Sequence, residues 1–147
     1  MENQTLPSKI NYLITIAEDA KLGYANAAND TEDATLKKIF TSLSAERERH
    51  VTELKNELDY FGGEAVVAGE PVGETHRAWK NLTKALMGGD SAEIIKECIA
   101  GEGFALKEYE AIIETLKSDL VLSKVLVRHR NSINSALNGI KNVLNKQ

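Results

Sequence analysis

Apolar residues recur at i, i+3, i+4 and i+7 along four long stretches of this chain, and no stretch shows the alternation of a strand. That pattern leaves helices packed on helices as the architecture. The first helix is expected from about residue 8 to 28, striped by Ile10, Leu13, Ile14, Ala17, Tyr24 and Ala28, with Asn29 and Asp30 breaking it. The second, capped by Asp30 or Thr31, carries Leu36, Ile39, Phe40, Leu43, Val51, Leu54, Leu58 and Phe61 before Gly62-Gly63 ends it. At 1.5 Å per residue it spans roughly 45 Å.

Residues 62–73 hold four glycines and Pro71 and read as a connection. A short helix is expected over about 74–87, with Trp79, Leu82 and Leu86 on one face and Gly88-Gly89 as its stop. Asp90-Ser91-Ala92-Glu93 has the spacing of a capping box and opens a third long helix striped by Ile94, Ile95, Cys98, Ala105, Tyr109, Ile112, Ile113 and Leu116. Ser118-Asp119 turns the chain into the last helix, which carries Leu122, Val125, Leu126, Ile133, Ala136, Leu137, Ile140 and Leu144. Two helical hairpins joined by a long connection predict an all-α four-helix bundle, one domain over 1–147. Its partly helical crossover lies between the second and third long helices and makes those two parallel.

Composition narrows the function classes. A net charge of −4 and a pI near 5.4 give no electrostatic footprint for a phosphate backbone, and Arg47, Arg49, Arg128 and Arg130 are interleaved with acids or apolar residues. Nucleic acid is therefore not an expected partner. No apolar run approaches the roughly 20 residues a membrane span needs, the nearest being Ala65-Val66-Val67-Ala68. Cys98 is the single cysteine, and the chain opens on Met1-Glu2-Asn3-Gln4 without an apolar leader, so the expected location is the cytoplasm.

The chemistry-bearing residues are the ionisable ones that fall on apolar stripes: Lys21, Arg47, His50, Glu102 and His129, with Glu18 and Glu46 at stripe edges. Counting rise from the shared turns puts Arg47, Glu46 and Glu102 in one layer, with Glu18 near it, and His50 with His129 in the next. One reading is a buried structural charge network of Lys21, Arg47 and Glu102, because interior charges require partners. The alternative is an iron or manganese site from Glu46, His50, Glu102 and His129, with Glu18 as a fifth ligand, since carboxylates and imidazoles projecting into a bundle core hold such metals. The Glu-x-x-His spacing of di-metal carboxylate helices is absent, Glu46 and His50 standing four apart, and an inward Arg47 repels a cation. Cys98 reads as a small core residue, His76 as a packing partner for Trp79, and the glycine-rich connection lacks a phosphate-loop lysine.

Gly23-Tyr24, Ala27-Ala28, Arg47, Glu53-Leu54, His76-Arg77-Ala78-Trp79, Gly88-Gly89-Asp90, Cys98, Gly101-Glu102 and Tyr109-Glu110 together give the chain a family likeness. Over almost its whole length it resembles bacterial ferritin-like four-helix-bundle proteins grouped as a domain of unknown function, first catalogued from a Pseudomonas genome. The resemblance implies a ferritin-like fold and self-association into a homo-oligomer, with no assigned activity and a stress-response role by analogy. The chain departs from that pattern at Lys21, where an acid is usual, at Glu46, where glutamine is usual, and at His50, where an aromatic or apolar residue is usual. A base inside the bundle at Lys21 favours a salt-bridged core over an iron site. The expectation is thus a small cytoplasmic bundle with no cofactor, not an enzyme, acting through copies of itself or a protein partner. The alternative is an iron- or manganese-binding oxidase or storage protein.

Overall fold

The structure, a computed structural model, describes residues 5–63 and 73–145, apart from the side chains of 73–78, 91, 144 and 145. Most of the expected connection, and the side chains of His76, Arg77 and Leu144, lie outside the described residues. Within them the chain is all-helical: α1 (Leu6–Asp30), α2 (Ala34–Tyr60), α3 (Gly73–Gly88), α4 (Ser91–Ile113) and α5 (Val121–Asn145). None of these helices is long and apolar enough to cross a membrane.

Local chemistry places the boundaries. Thr5 Oγ1 accepts the Ser8 N–H at 3.2 Å, and Pro7 sits in the first turn of α1, where its missing N–H costs nothing. Asn29 and Asp30 do not break α1 as expected. The helix runs to Asp30 because the Thr31 N–H still reaches the Ala27 carbonyl at 3.0 Å. The cap of α2 is consequently neither Asp30 nor Thr31 but Asp33, whose carboxylate accepts from the N–H groups of Thr35 and Leu36 at 2.9 and 3.1 Å. At the far end Gly62 adopts φ +77°. Its N–H bonds to the Asp59 carbonyl and that of Gly63 to the Leu58 carbonyl, each at 3.0 Å, the Schellman closure that a left-handed residue permits. Asp90 caps α4 through the Ala92 N–H at 2.9 Å. That helix stops at Ile113, so Leu116, expected on its stripe, packs against the core from the following turn.

Two apolar clusters fill the interior. The first gathers the N-terminal half of α1 (Ile10, Leu13, Ile14, Ala17), the C-terminal halves of α2 (Val51, Leu54, Leu58) and α4 (Ala105, Tyr109, Ile112), and the start of α5 (Leu122, Leu126, Ile133). The second gathers the opposite ends of the same helices, from Tyr24 and Phe40 to Cys98 and Ile140, together with Trp79 and Leu82 of α3. Shared cluster membership means that α2 and α4 run in one sense and α1 and α5 in the other. Backbone contact is closest between α1 and α2, while α3 packs on both α1 and α4.

Trp79 is the wedge that seats α3. Its ring lies edge-on to Tyr24, with centroids 4.6 Å apart, between a glycine of α1 and a glycine of α4. A Cβ on Gly23 or Gly101 would stand 2.7 Å from Trp79 atoms, so both positions are open only to a residue without a side chain. Gly101→Ala is expected to cost about 1–3 kcal/mol by overpacking, read by chemical denaturation with Trp79 fluorescence as the probe. A second change, Trp79→Leu, which vacates that space, should shrink the penalty when followed by circular dichroism.

Candidate functional site

Between the two apolar clusters lies a polar layer built from three helices. Arg47 of α2 is 1% exposed and Glu102 of α4 is 0% exposed, and Arg47 Nη2 donates to Glu102 Oε2. The Tyr24 hydroxyl of α1, also fully buried, donates to the same oxygen at 2.6 Å. Burial works against the guanidinium's charge, but the Glu102 carboxylate, with Tyr24 and Tyr109, outweighs it and raises the Arg47 pKa. Burial also raises the pKa of Tyr24, reinforced by Glu102, so its proton stays on the phenol and the donor role is secure. Arg47 Cζ stands 5.6 Å from the Tyr24 ring centroid, adding a cation–π contact. Arg47 Nε and Glu102 Oε1 have no hydrogen-bond partner among the described residues. Nearby Cys98 is buried, and burial followed by Glu102 raises its pKa; a thiol held protonated is a poor nucleophile.

One turn further along α2 a second polar chain leads outward. His50 and His129 stack face to face, with centroids 3.9 Å apart and planes 16° apart. His129 Nδ1 lies 3.1 Å from the Tyr109 hydroxyl and its Nε2 lies 3.0 Å from Glu53 Oε1. A carboxylate can only accept, which puts the imidazole proton on Nε2 and leaves Nδ1 to accept from Tyr109. Glu53 Oε2 in turn takes two bonds from Arg128, at 2.6 and 3.1 Å, and Arg128 is exposed. Burial depresses the His129 pKa, against the bond to Glu53, and pushes that of His50 down to about 2, helped by His129, Arg47, Arg49 and Arg128. Both rings are neutral at pH 7.

The expected residues divide cleanly. Arg47 meets Glu102, and His50 meets His129. Lys21 is not part of the buried pair: it is half-exposed, and its ammonium lies 2.8 Å from Glu48 on the surface, lowering the Glu48 pKa. A long flexible stem let it leave the stripe for water. Glu18 points at Lys55, 3.9 Å away. Glu46 is half-buried, with Oε1 unpartnered among the described residues, and lines a groove between α2 and α5 beside His50. Glu46, His50, Glu102 and His129 are not drawn together, for Glu102 faces Arg47 and Tyr24 while the imidazoles face each other. Among the described residues no three His, Cys, Asp or Glu side chains form a group that could hold a metal ion.

Tyr24 and Tyr109 stand on the stripes as apolar residues, yet their hydroxyls finish both polar chains. Glu53 and Arg128 lie off the stripes and so are not among the expected site residues, although Glu53 belongs to the family likeness. The signal for Glu53 lay in its spacing, three residues after His50 on the same helix face, and that for Arg128 in its place beside His129.

The fold defines an all-helical domain with a paired polar interior, and the comparisons agree with a family of undetermined role. Residues 6–115 match the family described as Domain of unknown function (DUF2383), and the chain belongs to that family. No curated protein and no solved structure matches it.

The buried pair makes a thermodynamic prediction. Glu102→Leu alone strands the Arg47 charge and should cost about 3–5 kcal/mol in urea or guanidinium unfolding, whereas Arg47→Met with Glu102→Leu should be far less damaging. The double variant still orphans the Tyr24 hydroxyl, so adding Tyr24→Phe should recover about 1–3 kcal/mol.

Proposed function

We propose that this chain is a ferritin-like four-helix bundle with a long, partly helical crossover, acting in the cytoplasm without a catalytic centre, through self-association. The observation that carries the reading is that the fully buried charges, Arg47 and Glu102, meet each other and that His129 is bonded at both ring nitrogens. Arg47 is engaged by Glu102, Tyr24 donates to Glu102, and His129 lies between Tyr109 and Glu53. The Arg47–Glu102–Tyr24 layer is sealed from solvent and presents nothing to a substrate. The crossover is supported by α2 and α4 running in the same sense with α3 on the chain between them.

Recognition then falls to the surface. Tyr60 is 81% exposed at the end of α2, and Val121 is 66% exposed at the start of α5, both at the same end of the molecule. Sedimentation equilibrium at micromolar concentration should give a mass that is a multiple of 16.1 kDa and is unchanged by prior dialysis against chelator. Tyr60→Ser with Val121→Ser should weaken that assembly. A monomer that purifies with stoichiometric iron or manganese would contradict the reading in favour of the storage or oxidase alternative.

A further inference from the structure

Among neighbouring helix pairs, α2 and α5 have the sparsest backbone contact, and the space between them is a groove of about 600 Å³ whose lining includes Glu46, Arg49, His50, Glu53, Arg128 and His129. What bridges the polar part of this seam is small: the His50–His129 stack and the bonds from Glu53 to His129 and Arg128. We propose that this cluster is an acid-labile latch, and that mild acid releases the N-terminal part of α5 from α2 while the Arg47–Glu102 layer and the Trp79 end of the molecule stay closed.

The groups around the rings explain why a proton cannot be taken up in place. From α2, Arg47 and Arg49 lie near the pair with Glu46 and Glu53; from α5 comes Arg128; from α4 come Glu102 and the Tyr109 phenol. The charged groups of α1 on this side are engaged elsewhere, Glu18 with Lys55 and Lys21 with Glu48. Three guanidinium groups therefore oppose a charge on His50. Among the described residues the one carboxylate bonded to the pair, that of Glu53, is held by His129 and Arg128. Among the described residues His50 Nδ1 is buried without a hydrogen-bond partner, so no acceptor is bonded to it to receive a second ring proton. A charged imidazole stacked on another at 3.9 Å is relieved only when the helices part.

The sign follows from linkage. His50 is held neutral in the closed state and regains an ordinary value near 6.5 when exposed, so closure is favoured above about pH 6.5 and is lost as pH falls below it. From pH 7 to pH 5, His50 alone raises the opening constant roughly 25-fold, and His129 adds to this. Opening stays local because, among the described residues, the second core cluster that seats Trp79, Phe40 and Ile140 contains no histidine.

Hydrogen exchange by mass spectrometry on the full chain tests this, with rates corrected for intrinsic pH dependence. The expected result is a loss of protection of at least 25-fold between pH 7 and pH 5 over residues 121–133 of α5, with the amides of α1, α3 and the C-terminal part of α5, which Leu137 and Ile140 hold in the second cluster, retaining theirs. His50→Phe keeps a stacked ring but no titrating site and should lower the pH dependence by that factor; His50→Asn serves if the phenylalanine variant does not fold. Protection of α5 that is equal at both pH values, loss in all helices together, or an undiminished pH dependence in the His50 variants would each overturn the latch.

Discussion

An always-charged guanidinium enclosed by apolar side chains sets the terms for the rest of this structure. Arg47 cannot shed its proton, so its burial is tolerable only with a carboxylate at hand, and Glu102 supplies that from the helix running in the same sense. Because the two helices share a direction, residues well inside each fall at the same depth. Tyr24 then donates to the carboxylate from α1, tying a third helix to the pair. The aromatic packing of the second cluster is built outward from that phenol, with Phe40 stacked 5.7 Å away and Trp79 edge-on. Trp79 reaches its seat because Gly23 and Gly101 leave room for it. One electrostatic requirement thus passes into packing, and packing positions α3.

The second polar chain meets the same demand by another route. It does not close on itself inside the core but steps from Tyr109 through His129 and Glu53 to Arg128 at the surface. Each link has a defined donor, so the imidazole is held in one tautomer and one orientation. His50 contributes to this seam through ring stacking rather than hydrogen bonding. The two layers differ accordingly in their response to conditions. The inner one holds a charge pair sealed from solvent, and the outer one holds neutral rings beside an open groove.

Much of this was legible from residue spacing. Helical periodicity located the long helices, and turning the stripes at 100° per residue brought Arg47 to Glu102 and His50 to His129, since a rigid helix conserves angle and rise over its length. Where side chains are long, periodicity lost its hold: Lys21 sits on its stripe by angle, yet its ammonium reaches Glu48 in water. Boundaries were displaced where two caps competed, as Asp33 took the role expected of Asp30 or Thr31. The tyrosines escaped because a stripe pattern counts them as apolar bulk while their hydroxyls do the bonding. The wedge of Trp79 between two glycines depends on three helices meeting, which no single stretch of sequence encodes.

The buried charges and the two imidazoles are partners for one another rather than ligands awaiting an occupant. Long-range proton–nitrogen NMR of the two imidazoles, with manganous ion added stepwise, tests this most directly. The expected spectrum shows two neutral rings at pH 7, with His129 protonated on Nε2 and no selective broadening of either ring. Early, selective broadening of the His50 and His129 signals at one equivalent of metal would contradict it.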